Sequence, residues 1–474
     1  MRASPILSLA PAVRLVEDKP ADLAIEGPTL RLPVSSPASG LRATLQQLAA
    51  GGATEESLAQ VVRELDGATG LLRFHHLLGE LREGRALCLT LTRGGERLAT
   101  CVPTSAPITA RPPFPGRGRF LLSRFAYLRR HDESLIVESP LSHAYFVLHE
   151  AHSSLLFHAL SNPLDAEMLV ERIDALLPDE AEMALALLWG EGLLTAVHEN
   201  GEVEEESDPQ LQQWESHDLM FHARSRAGRH ANPYGGTFPF VGRVEPEPAL
   251  EPERSDDFVD LHRPDLDRLG REDRPFTQVV ETRRSRRQRG ATPIDLQQLG
   301  GFLYRSSRLR RVVDQETHQV SDRVYPGGGA CYELEIYLAV DRCDGLESGF
   351  YHYGPDTHRL FRLGPETVET RALLVSAVRT ARSDPPEVLM VLAARFRRVT
   401  WKYRSMAYAG ILKDVGVLYQ NMYLVATAMG LSGCALGGGD SDLFARAAGA
   451  NYLTEGSVGE FTLNRGTGPG SPTT

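Results

Sequence analysis

The chain is poor in cysteine, and its five cysteines are scattered at Cys88, Cys101, Cys331, Cys343 and Cys434 with no C-x-x-C pair. That spacing excludes a disulfide framework and a thiolate zinc site, and it suits reduced, buried thiols. No apolar run reaches the roughly 18 residues that a bilayer span needs, so no membrane partner is expected. The amino terminus, Met-Arg-Ala-Ser-Pro-Ile-Leu, has its short apolar run broken by Pro11 and Arg14. It makes a poor signal peptide, and a cytoplasmic location is the expectation. A basic surplus is also lacking: 51 Lys+Arg stand against 62 Asp+Glu, a net charge of −11. This argues against general nucleic-acid binding. The Rossmann, P-loop, H-E-x-x-H and G-x-S-x-G motifs are all absent. His149-Glu150-Ala151-His152 has i, i+3 spacing and no third ligand, so it reads as a polar turn after a strand, and no metal is expected.

What is present is an ordinary globular composition over 474 residues, with 42% hydrophobic and 24% charged residues. This length accommodates two to four domains. Leu41, Leu45, Leu48, Leu58, Val61, Val62 and Leu65 recur at helical spacing, with Gly51-Gly52 between two helices and Thr54 as an N-cap. Strands 86–92 and 98–102 flank the turn Arg93-Gly94-Gly95. Helices followed by a hairpin predict a winged-helix-like unit over 1–110. After the Pro-rich break at 107–115, a second unit of this kind is predicted over 111–200. Its acidity points to peptide binding or packing rather than DNA. Residues 201–275 hold an acidic loop and then Pro246, Pro248, Pro252, Pro264 and Pro275, which predicts a linker and extended segment. From 276 to 474 the pattern is that of a compact α+β domain. It has a continuous apolar strand at 388–393, an apolar helix at 407–429 that reads as buried all round, and a frayed Gly/Pro/Ser/Thr tail from 466.

Three features of this last domain carry chemistry. In Arg283-Arg284-Ser285-Arg286-Arg287, just past a helix, Arg283, Ser285 and Arg287 at i, i+2 and i+4 can close on one small dianion with Arg284 beside them. Read alone, the run fits a solvated basic patch or a nucleic-acid patch better than a phosphate site. Tyr325-Pro326-Gly327-Gly328-Gly329-Ala330-Cys331-Tyr332 offers a backbone that a flat ligand can approach closely. Leu436-Gly437-Gly438-Gly439-Asp440 offers backbone donors shortly after the long apolar helix.

Together these motifs resemble the nitroreductase superfamily and, within it, the SagB-type azoline dehydrogenases, also called thiazole/oxazole-forming oxidases. Gly349-Phe-Tyr-His-Tyr353, Trp401-Lys402-Tyr403-Arg404, Gln420-Asn421 and Ala435 to Asp440 extend the resemblance over about 190 residues. Trp214–Gly236 resembles the linker of the long members, and 40–197 their tandem winged-helix-like front end. The resemblance implies an α+β FMN domain that dimerises, with flavin at the subunit interface. It assigns the FMN phosphate to Arg283, Arg284, Ser285 and Arg287, with Arg465 as a further cation. Pro326, Gly327, Gly328 and Gly329 would run past the flavin, with Asn421 and Leu436 among the cofactor contacts, and Gly437 and Gly438 would approach N5. Lys402-Tyr403 matches the catalytic Lys-Tyr pair of the azoline dehydrogenases. The chain departs from the family where Gly327 replaces Ser, Glu333 replaces Pro and Gly439 replaces an aromatic.

The implied reaction aromatises a thiazoline or oxazoline in a ribosomally made peptide, with a cyclodehydratase as partner enzyme and dioxygen reoxidising the flavin. A base must remove the ring Cα proton while the Cβ hydride leaves for the flavin. Either Lys402 or Tyr403 fits that role by residue type. Two other readings stay open at this stage: an NAD(P)H-dependent nitroreductase or ene-type reductase, and a peptide-recognition protein with an inactive flavin domain.

Overall fold

The computed structural model describes residues 4–19, 22–28, 30–105, 111–149 and 151–466. Part of the Pro-rich break (106–110), Glu150 and the tail from 467 lie outside them. The chain forms two compact units, Met1–Asn232 and Pro233–Thr474.

In the first unit, helices Ser39–Ala49 and Glu55–Glu83, the latter kinked at Gly67, bury most of the predicted apolar positions but leave Leu65 60% exposed, and the Thr54 hydroxyl accepts the Ser57 N–H as an N-cap. Leu41, Leu45, Leu48, Leu58 and Val62 face one core with Leu7, Phe74 and Leu78. Four early strands were not legible in the pattern: Ile6–Leu9, Arg14–Lys19, Asp22–Glu26 and Arg31–Val34. The two front segments also share a sheet. One antiparallel seven-stranded sheet runs Ala53–Thr54, Ile6–Leu9, Leu87–Arg93, Glu96–Pro103, Ala144–Leu148, Ser134–Glu138, Tyr127–His131. The join is made where Cys101 stands opposite Phe146. Both side chains are buried, so their apolar area holds the two halves together.

The second unit is built on an antiparallel sheet in the order Phe258–Asp260, Arg359–Pro365, Gly349–Gly354, Leu334–Val340, Val388–Arg395, Glu455–Asn464, Ser432–Leu436. Its central strand shows why an uninterrupted apolar run is needed. Val388, Met390, Leu392 and Ala394 enter one core with Leu418 and Met422 of helix Ala407–Met429. Leu389, Val391 and Ala393 enter the opposite core with Leu373 and Phe444, from helices Val368–Ala381 and Ser441–Ala448. Side chains alternate across a strand, and here both faces are covered.

Two features differ from expectation. The Pro-rich part of the supposed linker is packed against this unit. Phe258–Asp260 adds an edge strand, and the carbonyls of Pro248 and Glu247 accept from the buried guanidinium groups of Arg395 and Arg398. Proline removes a ladder donor but keeps its acceptor, and buried arginines use such acceptors. The long helix is buried on one side only, through Ile411, Asp414, Val415, Leu418, Met422, Val425 and Ala426. Tyr408 and Leu412 on its other side are 47% and 39% exposed.

Candidate active site

The basic run lies where helix Phe276–Thr282 ends, with Arg283 at its C-cap. From there the chain follows the start of strand Ser432–Leu436: the Arg286 N–H donates to Gly433, and the Asn464 amide to the Arg287 carbonyl. Tyr423 organises the turn. Its hydroxyl accepts the Ala435 N–H at 2.8 Å and shares a 2.9 Å hydrogen bond with Ser285, while the Arg283 guanidinium lies 5.2 Å from its ring centroid. Beside it is a cavity of about 200 Å³ lined by Arg274, Thr282, Arg284, Arg286, Tyr423 and Thr427 among others. Among the described residues no carboxylate lines it. Three guanidinium groups at one cavity without a counter-charge favour an anion there. Arg274 and Tyr423 were missed in the sequence, and Arg286 was quoted only as part of the basic run. Only folding brings these three stretches to one cavity.

Arg465 is turned elsewhere. Its guanidinium donates to the Pro293 carbonyl, and its N–H to the buried Glu387 carboxylate. Asn421 donates its amide to the Ser306 carbonyl at 2.6 Å, a contact between helix Ala407–Met429 and helix Leu296–Ser307. Leu436 is buried in the core with Cys434 and Phe444. Gly437 and Gly438 beyond it are exposed, and a Cβ on either would meet nothing within 4 Å. At Gly439 a Cβ would meet the Glu460 carboxylate, the movable end of that side chain.

The glycine-rich loop and the Lys-Tyr pair are brought together. Central strand Val388–Arg395 leads through the short helix Phe396–Thr400 into Trp401, and the chain then turns sharply. Lys402 Nζ donates to the Gly329 carbonyl at 3.0 Å. Gly329 has φ +59°, and a Cβ there would strike the Tyr403 hydroxyl oxygen. Adjacent side chains that would diverge on a plain strand thus end at the same glycine. Gly328 donates its N–H to both Asp414 oxygens at 3.0 and 2.9 Å. Pro326 is exposed at the entry to the turn, and Gly327 is extended.

A strap from residues 233–244 fixes the pair. Gly235–Gly236 forms a two-stranded ladder with Tyr403–Arg404, Phe238 N–H donates to the Lys402 carbonyl, and the Trp401 indole donates to Val244. The Phe238 ring lies 5.8 Å from Lys402 Nζ. Burial raises the Tyr403 pKa, and the nearby Cys331 and Asp414 raise it further. Tyr403 is therefore a protonated phenol at neutral pH. His318, beside Phe238 and Trp401, has its pKa lowered by burial and by the Lys402 and Arg398 charges.

Three stretches of the chain match family models. Residues 120–231 match the family described as cyanobactin oxidase ThcOx, 1–111 the ThcOx helix-turn-helix domain, and 280–459 the nitroreductase family. The Methanocaldococcus jannaschii protein MJ1384, described as a nitroreductase, is 29% identical over 181 residues, 38% of this chain and 85% of its own. The trifolitoxin-processing protein TfxB of Rhizobium leguminosarum bv. trifolii is 32% identical over 113 residues, 23% of this chain. The microcin B17-processing protein McbC of Escherichia coli is 30% identical over 113 residues, again 23% of this chain. The chain spans 30% of TfxB and 42% of McbC. The chain is an oxidoreductase that joins ThcOx-type amino-terminal domains to a nitroreductase-family domain at 280–459, an arrangement that fits the SagB-type azoline dehydrogenases.

Proposed function

We propose that the chain oxidises thiazoline or oxazoline rings in a modified peptide to the aromatic azoles, with FMN as cofactor. The observation that carries this reading is the convergence of Lys402 and Tyr403 on Gly329. Its relatives TfxB and McbC, by their names, process trifolitoxin and microcin B17.

The residues present fit FMN. The cavity of Arg274, Arg284 and Arg286, which no carboxylate lines among the described residues, with Arg283 and Ser285 on Tyr423, would take the phosphate, and the open Gly437-Gly438 backbone would face the ring system. When bound, FMN supplies the acceptor for the Cβ hydride and is returned to the oxidised form by dioxygen.

The chain's own part is the proton. Lys402, as the free amine, would take the Cα proton on Nζ, held in place by the Gly329 carbonyl, while Tyr403 keeps its proton and donates to the ring or its neighbouring carbonyl. The raised Tyr403 pKa supports Lys402 over Tyr403 as the base. The uncovered apolar side of the long helix, with Tyr408 and Leu412, would meet a second copy. A cyclodehydratase that makes the azoline would be the partner enzyme.

Incubating the full chain and FMN with a cyclised model peptide tests this. Loss of about 2 Da per ring by mass spectrometry is the expected result, the mass of the proton and hydride together. An unchanged peptide, with NAD(P)H consumed in the absence of any azoline, would overturn it in favour of a reductase.

A further inference from the structure

Beneath the glycine-rich turn lies a carboxyl pair that the proposed chemistry leaves unused. Glu333 stands just before strand Leu334–Val340 and is 0% exposed. Neither of its carboxyl oxygens meets a hydrogen-bond donor among the described residues. Asp414, on the long helix, is 8% exposed, and it and Glu333 act on each other's titration. Arg323 is the cation on the strand side, but two of its nitrogens donate to the Leu334 and Tyr332 carbonyls. The other titratable groups facing the pair are Tyr325, Cys331, Lys413 and Tyr403. Burial pushes the Tyr325 and Cys331 pKa values up, so both stay neutral.

Two ionised carboxylates facing each other in a dry pocket suffer desolvation and repulsion together. One shared proton removes the repulsion and supplies the hydrogen that the Glu333 oxygens lack. Burial and the neighbouring Asp414 both push the Glu333 pKa upward. The remaining charge on Asp414 has a use: it accepts the Gly328 N–H. The next residue, Gly329, is the one that meets Lys402 and Tyr403.

We propose that Asp414 and Glu333, sharing one proton, are positioning residues that hold the Gly328–Ala330 turn against Lys402 and Tyr403. The inference rests on the reading of Lys402 and Tyr403 as the groups that act on the ring. Ionised Asp414 anchors Gly328, and protonated Glu333 anchors Asp414. Removing the shared proton sets two charges face to face and releases the turn.

Hydrogen exchange of the turn in the full chain tests this without substrate. Protection of the Gly328 amide is compared at about pH 6.5 and about pH 9, corrected for base-catalysed intrinsic exchange. The wild-type chain is expected to lose at least about tenfold in protection at the higher pH, and Glu333→Gln to keep it at both. Asp414→Ala is expected to lose it at both. Should that variant fail to fold, Asp414→Asn, which keeps the shape without the charge, is expected to show weaker, pH-independent protection. In azole formation, Asp414→Asn is expected to lower kcat with little change in KM. Equal wild-type protection at both pH values, or an alkaline loss in Glu333→Gln equal to that of wild type, would overturn the inference. The expected protection pattern in a chain that leaves azolines unoxidised would uphold the inference and refute the proposed function.

Discussion

At the residue scale, Gly329 concentrates the site's constraints. Its φ of +59° suits glycine, and the space a methyl group would need is occupied by the Tyr403 hydroxyl. Gly329→Ala is expected to lower stability by about 1–2 kcal/mol, the cost of a left-handed non-glycine residue. Azole formation is expected to fall more steeply, because Tyr403 must move. Denaturant unfolding beside a mass assay separates the two effects. The buried Glu333 has a different signature. Its folded pKa is pushed up to about 8, above the ordinary carboxyl value near 4.5. The folded chain therefore holds more protons than the unfolded one between these values, and stability falls as pH rises through that window. Glu333→Gln is expected to flatten this slope, seen as a Tm that changes less than wild type between about pH 5 and pH 8. Of the site, the arginine run, both glycine loops and Lys402-Tyr403 were legible because each is contiguous in sequence. Tyr423, Arg274 and Asp414 were not, since each is an ordinary residue on its own element that becomes informative only through a neighbour distant in the chain.

At the scale of elements, residues 233–275, the strap and the Pro-rich stretch after it, show how a proline-rich stretch can mislead. Its prolines cannot extend a ladder, which reads as a linker, yet its carbonyls and aromatic side chains dock on Arg395, Arg398 and Trp401. Phe238 touches Lys402, Trp401 and His318. Phe238→Ala is expected to cost about 1–3 kcal/mol for a partly buried ring. It is also expected to reduce azole formation by about tenfold or more by loosening Lys402, with flavin absorption retained. The central strand was legible for the opposite reason, since a run apolar at every position has few solutions other than a sheet covered on both faces. The hairpin of Leu309–Asp314 and Gln319–Arg323 was not, because its mixed charged and polar residues give no clean alternation.

At the scale of the whole molecule, the long helix was correctly bounded but its burial was overestimated. An all-round apolar helix can be covered by its own chain or by another, and sequence pattern does not distinguish the two. Here Tyr408 and Leu412 are left open. Leu412→Asp is expected to convert a dimer to monomer at micromolar concentration while leaving the far-ultraviolet circular dichroism unchanged, as measured by light scattering after gel filtration. Among the described residues no helix is long and apolar enough to cross a membrane.

The proton-removing role of Lys402 is tested most directly by Lys402→Ala, loaded with FMN and given a thiazoline-bearing peptide. The expected result is a yellow protein with normal flavin absorption that leaves every ring at its starting mass. Azole formation by that variant at near wild-type rate would contradict the role assigned to Lys402.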